Sequence, residues 1–389
     1  MAIPFIYNVR NVARRPVSTL TTAIGIGLTI AVLLAALSLA EGFRATLVST
    51  GSPDNAFVLR KGADNEISSG IPLAAADILE ANGMVAAGPD GRPLASLEML
   101  TTTNLARVGQ NGSSNVRVRG VDLAAIGMRA EPRIVEGRMF APGTDEVVIG
   151  ATIAPRFANC RVGDELRFQK RPFKVVGHFA AGGASFESEV WGDAKVLMPV
   201  FHREGGYQVA VLRLRDPARF AALQKELEAD PRLGVQVVRE RDFYTEQSQG
   251  TTALIRGLGI FITVIMAFGA LFGAANTMFA AVSGRTREVA MLLVLGFSPA
   301  AVMFAFVVES MLVALMGGVL GCLLSLPING ITTSTTNFSS FSEVAFAFRI
   351  GPPELLAGLV FSALLGVVGG LLPSIRAARQ PIARTLRGL

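Results

Sequence analysis

Residues 283–299, SGRTREVAMLLVLGFSP, join two long apolar runs and carry a short helical pattern of their own. The segment opens with Arg285 and Arg287 and ends at Gly296, a residue type that can adopt the left-handed conformation of a helix C-cap. A plain connection between two membrane helices needs neither the apolar helix nor the glycine stop. We therefore expect a small transverse helix over 283–298, rigidly joined to both apolar runs and held by a partner on that side of the membrane.

The composition is that of a membrane protein. Of the 389 residues, 51% are apolar and 17% are charged, whereas about a quarter of a soluble domain is charged, and the mean hydropathy is +0.47. The net charge of +6 rests mainly on arginines that lie beside the apolar runs. This placement favours membrane orientation and contact with anionic lipid over nucleic-acid binding.

Four apolar runs are long enough to cross a bilayer, which takes about 20 residues. The predicted fold class is a helical membrane protein with four transmembrane helices and a large mixed α/β periplasmic domain inserted between the first and the second. The predicted transmembrane helices are 18–40, 251–282, 299–328 and 353–373, and the inserted domain is 41–250. The other segments are an N-terminal interface helix (1–17), a coupling helix (283–298), a short periplasmic loop (329–352) and a C-terminal tail (374–389).

Arginines in the short flanks predict the orientation. They precede the first span, lie between the second and third spans, and follow the fourth span. Short segments with positive charge tend to stay in the cytoplasm. Both termini and the 283–298 segment are therefore expected in the cytoplasm and 41–250 in the periplasm, at a bacterial inner membrane. The first span is too long for a cleavable signal peptide and is expected to be an uncleaved signal-anchor. The arginines are Arg10, Arg14, Arg15, Arg285, Arg287, Arg376, Arg379, Arg384 and Arg387.

The first 17 residues predict an amphipathic helix in the cytoplasmic membrane interface. Phe5, Ile6 and Val9 recur at helical spacing, and Asn8 and Asn11 fall on other faces.

The inserted domain mixes strand and helix signals. Its stretch of about 96–198 is rich in strand and turn signals and predicts a second subdomain inserted into the first.

No catalytic site, metal site or disulfide is predicted. The adjacent carboxylates of the insert are interpreted as solvent-exposed charges rather than as a general acid and base. The two histidines lack the spacing of metal ligands, and one cysteine lies in a polar region while the other lies in an apolar run. These residues are Asp164, Glu165, Glu187, Glu189, His178, His202, Cys160 and Cys322.

Small residues in three of the spans predict close helix packing, because glycines let backbones approach each other in lipid. Four helices enclose little on their own, so a second copy or a homologue is expected to complete the membrane domain. Asn276 is predicted to bond between helices, and Glu309 either to form a buried pair with Asn276 or Arg287 or, less favourably, to relay protons. The packing glycines are Gly269, Gly273, Gly317, Gly321, Gly366 and Gly370.

Three stretches carry a family resemblance. They are NTM at 276–278 with RTREVA at 285–290 and LG at 295–296, LPSIRAARQPIARTLR at 372–387, and ARRP at 13–16 with GIG at 25–27. The chain also has one predicted span before the inserted domain and three after it. With these features it resembles the MacB/FtsX-like permeases of ABC transporters over nearly its whole length.

The resemblance implies a dimeric permease of the mechanotransmission type, in which ATP-driven motion reaches the periplasmic domains. It places the coupling helix on a nucleotide-binding subunit and identifies the insert as the MacB-like periplasmic core domain. A periplasmic membrane-fusion protein and an outer-membrane channel are further partners that the family allows; nucleic acid is not expected. The implied coupling residues are Arg285, Thr286, Arg287, Glu288, Leu292, Gly296 and Ser298.

The sequence contains no G-x-x-x-x-G-K-[ST] loop for ATP phosphates. We therefore expect a stand-alone permease subunit that is not an enzyme and binds no cofactor directly, with ATP and Mg²⁺ used by a separate cytoplasmic ATPase. The expected function is export or extraction of a substrate from the periplasm or the outer leaflet. The alternative is a transport-inactive FtsX-like regulator that acts on a periplasmic partner such as a cell-wall hydrolase. An ion-coupled secondary transporter is disfavoured by the four spans and the sparse intramembrane charge.

Overall fold

The computed structural model describes residues 4–379 except 110, 130–131 and 338–339. The chain forms two compact units. We call the first, Met1–Glu41, Ala253–Ile331 and Phe348–Leu389, the helical unit, and the second, Gly42–Thr252 and Thr332–Ala347, the sheet unit.

Within the described residues, four helices are long and apolar enough to cross a membrane. They are α2 (Pro16–Thr50), α6 (Glu240–Ser283), α8 (Pro299–Ser325, extended by a 3-10 turn at Leu326–Ile328) and α9 (Pro352–Ala378). The shorter helices are α1 (Phe5–Ala13), α3 (Leu73–Glu80), α4 (Ala194–Val200), α5 (Phe220–Ala229) and α7 (Thr286–Val294).

Two of the long helices exceed the predicted spans. α2 has 35 residues and α6 has 44, whereas the apolar runs predicted 18–40 and 251–282. An apolar run marks only the part of a helix that suits lipid. Both helices continue through polar sequence, and their outer portions belong to the sheet unit.

The sheet unit is built on one ten-stranded mixed sheet in the order β12-β1-β11-β3-β4-β9-β6-β8-β5, with β7 paired to β8. β4 and β9 are parallel, as are β6 and β8, and the other pairings are antiparallel. The strands of this sheet are β1 (Asn55–Arg60), β3 (Ala95–Ala106), β4 (Ser113–Val121), β5 (Arg133–Gly137), β6 (Glu146–Gly150), β7 (Glu165–Phe168), β8 (Arg171–Ala180), β9 (Glu189–Asp193), β11 (Val209–Arg213) and β12 (Val235–Arg239). Two short strands, β2 (Ile71–Pro72) and β10 (Gly206–Tyr207), pair separately.

Three apolar cores lie along this sheet. The first gathers buried residues of β1, β11 and β12 with α3 and α5, the second gathers residues of 99–198, and the third gathers residues of 121–191 around Trp191. The long strand β3 joins the first two cores, because Ala95–Glu98 pair with β11 while Met99–Ala106 pair with β4. The predicted boundary near residue 96 therefore falls inside a shared strand, and the backbone ladder is continuous between these two cores.

Residues 329–352 form more than a short loop. They contain a hairpin of β13 (Thr332–Asn337) and β14 (Ser342–Ala347) that belongs to the sheet unit. The ring of Phe346 lies 5.5 Å from that of Phe43, and the amide of Ala345 donates to Ser188 Oγ at 2.9 Å. The β-branched run of threonines in β13 suits a strand.

Candidate functional site

The coupling segment forms a short helix, and its junction with α8 is capped on both sides. Gly296 has φ +91°, its amide donates to Leu293 O at 3.2 Å, and the amide of Phe297 donates to Leu292 O at 3.1 Å. These two bonds form a Schellman motif, which ends α7. Ser298 Oγ then accepts from the amide of Ala301 at 3.2 Å at the start of α8. The predicted helix ending and the predicted N-cap are both confirmed.

The two faces of α7 differ. Val289 and Ala290 are buried, and Val289 packs with residues of α6, α8 and α9. On the opposite face Met291, Val294 and Leu295 are 62%, 62% and 63% exposed. Arg287 is also exposed and lies one turn before Met291 on that face. We call Arg287, Met291, Val294 and Leu295 the coupling patch. Leu292 is half-buried beside it.

Arg285 points into the helical unit rather than outward. Its Nη1 donates to Glu309 Oε2 at 2.9 Å and its Nη2 to Asn11 O at 3.4 Å, and only 6% of either charged side chain is exposed. The prediction that Glu309 pairs with Asn276 or Arg287 is therefore wrong. Arg285 precedes α7 and turns back onto α8, so it fixes the helix instead of offering a charge at its surface. Asn276 is exposed within the described chain.

The N-terminal helix α1 holds the coupling segment from another side. Tyr7 Oη donates to Glu288 Oε2 at 3.1 Å. Asn8 and Asn11 of α1 are buried, whereas Ile6 and Val9 are 59% and 41% exposed. The amide face therefore packs on protein while Ile6 and Val9 stay uncovered by the described residues, and the position of α1 in the membrane interface stays a prediction. Thr286 Oγ1 donates to Ser283 O at 2.8 Å, a bond within the segment itself.

Four of the six predicted packing glycines lie in tight helix contacts. A methyl group on Gly317 would lie 2.7 Å from Ala23 O, and one on Gly321 would lie 2.6 Å from Gly27 O. Gly366 and Gly370 approach α8 as closely, at Ala314 and Ser310. By contrast, Gly269 and Gly273 are exposed on α6, and no described atom lies within 4 Å of a methyl group built on either.

The sheet unit contains a buried group of charges that sequence reasoning missed. Arg119 donates to Glu189 and Glu98 at 2.6 Å each and to Glu66 at 3.1 Å, and its side chain is fully buried. Arg129 donates to Glu98 at 2.8 Å and to Glu240 at 2.7 Å. We call this set the charge network; its members are Glu66, Glu98, Arg117, Arg119, Arg129, Glu189 and Glu240.

The charge network joins the first turn of α6 to three strands. Glu240 and Tyr244 belong to α6, and Tyr244 Oη donates to Glu66 at 3.0 Å. Burial opposes ionisation of Glu66, but Arg117, Arg119 and Arg129 outweigh it and lower its pKa to about 2. The interpretation of Glu189 as solvent-exposed is wrong, since it is 2% exposed. The sequence signal is Arg117-x-Arg119 in β4, two like charges on one face of a strand whose alternate residues Val116 and Val118 are apolar.

The other polar residues singled out in the insert make local bonds. Glu187 accepts from the amides of Ala181 and Gly183 at 2.7 and 2.8 Å. His178 lies between Glu136 Oε2 at 2.9 Å and Cys160 O at 2.7 Å. Both cysteines are free, and burial raises the pKa of the Cys160 thiol to about 12. Across the described residues, no group of three or more His, Cys, Asp or Glu could hold a metal ion.

Comparison with known proteins covers most of the chain. The MacB-like periplasmic core domain matches residues 19–230, and the FtsX-like permease C-terminal domain matches residues 260–382. The macrolide export ATP-binding/permease protein MacB of Burkholderia cenocepacia (strain HI2424) is 25% identical over 389 residues, which cover 93% of this chain and 54% of that protein. An ABC transporter permease of Methanocaldococcus jannaschii, MJ1507, is 25% identical over 237 residues, which cover 59% of this chain and 58% of that protein.

Among solved structures, the periplasmic region of MacB from Actinobacillus actinomycetemcomitans aligns over 52% of this chain and 95% of that chain, with 12% identity and a TM-score of 0.38. A TM-score this low does not establish a common fold. The chain spans about half the length of the MacB relative from Burkholderia cenocepacia. The periplasmic core match alone takes in more than half of the 389 residues, so the chain belongs to the MacB/FtsX-like permease family of ABC transporters.

Proposed function

We propose that this chain is the non-hydrolytic membrane subunit of an ABC transporter, and that its coupling patch docks on a separate cytoplasmic ATPase. ATP binding and hydrolysis in that partner would move α7, and the motion would drive export or extraction of a substrate from the periplasm or the outer leaflet. The working complex would contain two permease chains, either two copies or this chain and a homologue.

The coupling patch is the observation that carries this proposal. Three large apolar side chains are more than 60% exposed: Met291 and Val294 on the nine-residue helix α7, and Leu295 at its C-cap. The flanking arginines favour a cytoplasmic position for this helix, where such side chains would face water. The opposite face of α7 packs against the helical unit. A short helix that is fixed in this way and exposes apolar residues on its free face suits a groove on another protein. Arg287 supplies a charge that would fix the register in that groove.

The need for a separate ATPase follows from the phosphate chemistry. An ABC ATPase cradles nucleotide phosphates in a glycine-rich loop with a lysine, and the 389 residues contain no such sequence. The MacB relative is named as both ATP-binding and permease, and this chain aligns with 54% of it. The phosphate-binding loop must therefore come from polypeptide outside these residues.

Two features support transmission of motion towards the periplasm. α2 and α6 are each one unbroken helix, and each has residues in both units. Arginines in the short flanks favour cytoplasmic termini and a periplasmic sheet unit in a bacterial inner membrane. The relatives named for macrolide export favour transport over the regulatory alternative.

Site-specific photocross-linking in native membranes tests the proposal. A benzophenone amino acid is placed at Met291, and the matched control carries it at Phe272, which is 76% exposed on α6. The expected result is a cross-link from Met291, but not from Phe272, to a protein that mass spectrometry identifies by its ATP-binding loop. Absence of such a product, or the same product from both positions, contradicts docking at the coupling patch.

A further inference from the structure

A cleft of about 850 Å³ opens within the sheet unit. Its walls come from α3, from Tyr207 of β10, from the residues that follow β4 and from the start of α4. Clefts of roughly 300–1,000 Å³ are typical of sites for drug-sized organic ligands. Nothing in the coupling mechanism uses this cleft.

The wall formed by α3 is set by helical spacing. Leu73, Asp77 and Glu80 follow each other at intervals of four and three residues, so they share one face of the helix. All three line the cleft. The opposite face, with Ala75 and Leu79, is buried in the apolar core. Packing of that face fixes α3 and presents both carboxylates to the cleft.

Apolar surface forms another part of the lining. Leu97, Leu123 and the ring of Tyr207 are each partly exposed there, and Val121 and Phe140 lie buried behind them. A ligand could cover apolar area on these residues while it meets carboxylates on α3. Such a combination of apolar contact and a few directed charges is the usual chemistry of a small-molecule site.

The charge in the cleft is predominantly negative. Asp77, Glu80, Asp122 and Asp193 line it, against the cations Arg92 and Lys195. Asp193 already caps α4, since it accepts from the amides of Lys195 at 2.8 Å and Gly143 at 2.6 Å. The Arg92 side chain is 77% exposed and lies 3.7 Å from Asp90, which offsets its charge. A cleft lined mainly by one sign of charge concentrates its field on a ligand of the other sign.

The carboxylates of the cleft act on one another. Burial raises the pKa of Glu80, and Asp77 and Asp122 raise it further while Lys195 opposes them. Burial and the same three carboxylates also raise the pKa of the Tyr207 phenol. These groups therefore share one negative field, which a bound positive charge would relieve.

We propose that this cleft binds an organic cation with an apolar body, whose positive charge faces Asp77 and Glu80 and whose body rests on Leu97, Leu123 and Tyr207. The Tyr207 ring offers a further cation–π contact. A metal ion is a poorer fit, because the described residues include no cluster of three or more potential metal ligands. The binding needs neither ATP nor the ATPase, so it does not depend on the proposed function.

Equilibrium dialysis of the full chain in phosphatidylcholine nanodiscs tests the site, with empty nanodiscs as the blank. The probe is tetraphenylphosphonium, a permanent cation with an apolar body, and its neutral counterpart is triphenylphosphine oxide. The double variant Asp77→Asn/Glu80→Gln removes both α3 carboxylates. The control double variant Asp64→Asn/Glu204→Gln removes the same charge from two exposed positions outside the cleft.

The wild type and the control double variant should bind tetraphenylphosphonium with equal affinity and more tightly than triphenylphosphine oxide. The α3 double variant should bind it about tenfold more weakly or worse, because two nearby opposite charges are lost. If that variant does not fold, Glu80→Gln alone should still weaken binding severalfold. Undetectable binding to the wild type, equal affinity for the neutral probe, or an equal loss in the control variant would overturn the proposal.

Discussion

Arg285 Nη1 donates to Glu309 Oε2 across 2.9 Å, and 6% of each side chain is exposed. The pair joins the residue that precedes α7 to the interior of α8, and Arg285 also reaches Asn11 O on α1 at 3.4 Å. Three segments of the helical unit therefore meet at one guanidinium. This anchoring restrains rotation of α7 about its own axis, so under the proposed coupling a force on its exposed face would be carried into the helical unit.

Breaking this pair should destabilise the helical unit. Glu309→Ala leaves the Arg285 charge buried without its partner, and we expect a loss of about 3–5 kcal/mol in the free energy of unfolding. The exchange of Arg285→Glu with Glu309→Arg should recover part of that loss. Denaturant unfolding of the full chain in detergent measures both. Arg287→Ala, at an exposed site, serves as the control and should change stability by no more than about 0.5 kcal/mol. Wild-type stability of Glu309→Ala would show that the pair does not hold α7.

The coupling segment shows how much of this site can be predicted from sequence. The sequence correctly predicts that Gly296 ends α7 and that Ser298 caps α8, because a left-handed turn and an N-cap are set by residues within about four positions of each other. The apolar spans follow from local composition in the same way. The partner of Glu309 cannot be predicted from local sequence, because it depends on how α8 is rotated relative to Arg285, the residue that precedes α7.

The charge network also depends on tertiary contacts that local sequence does not predict, here within a sheet. Alternation in β4 places Arg117 and Arg119 on one face, but their partners come from β3, from β9 and from Glu66 in the segment after β1. Whether that face meets water or carboxylates is decided by strand order, and β4 lies beside β9 through a long crossover. Glu189 was therefore misassigned as exposed.

The charge network should make stability depend on acid. The pKa of Glu66 is lowered from an ordinary 4.5 to about 2, so its ionised form is favoured by folding. That stabilisation is fully present above pH 4.5, is lost as the pH falls towards 2, and amounts to about 3 kcal/mol by linkage. The difference in unfolding free energy between wild type and Glu66→Gln should thus shrink steadily below pH 4.5. Glu204→Gln, at an exposed carboxylate, should show no such trend; a difference for Glu66→Gln that is constant from pH 6 to 3 would contradict the assignment.

The glycines of the spans should separate into two classes. Gly317→Leu forces a side chain into the backbone of α2 at Ala23, and we expect it to cost at least about 1–3 kcal/mol of stability. Gly273→Leu meets no described atom within 4 Å, so the single chain should tolerate it. Because small residues favour close helix approach in lipid, we expect Gly273→Leu to weaken pairing with a second permease chain. Thermal unfolding tests the first effect and chemical cross-linking in membranes the second. Unchanged dimer formation by Gly273→Leu would place the interface elsewhere.

Reversing the charge of the coupling patch should uncouple the ATPase while the permease stays folded. Arg287 is exposed beside Met291, and unlike Arg285 it forms no part of the buried pair with Glu309. Arg287→Glu should therefore leave insertion and unfolding unchanged and abolish stimulation of the partner's ATP turnover in proteoliposomes. Glu288→Arg should also abolish stimulation, and it removes the hydrogen bond that Glu288 accepts from Tyr7. The matched control is Arg379→Glu, which changes charge equally at another exposed arginine, in the flank that follows the fourth span. Stimulation lost equally in both single reversals, Arg287→Glu and Arg379→Glu, would show that surface charge near the membrane matters rather than the patch. Stimulation retained by Arg287→Glu would show that the ATPase does not seat on this face of α7.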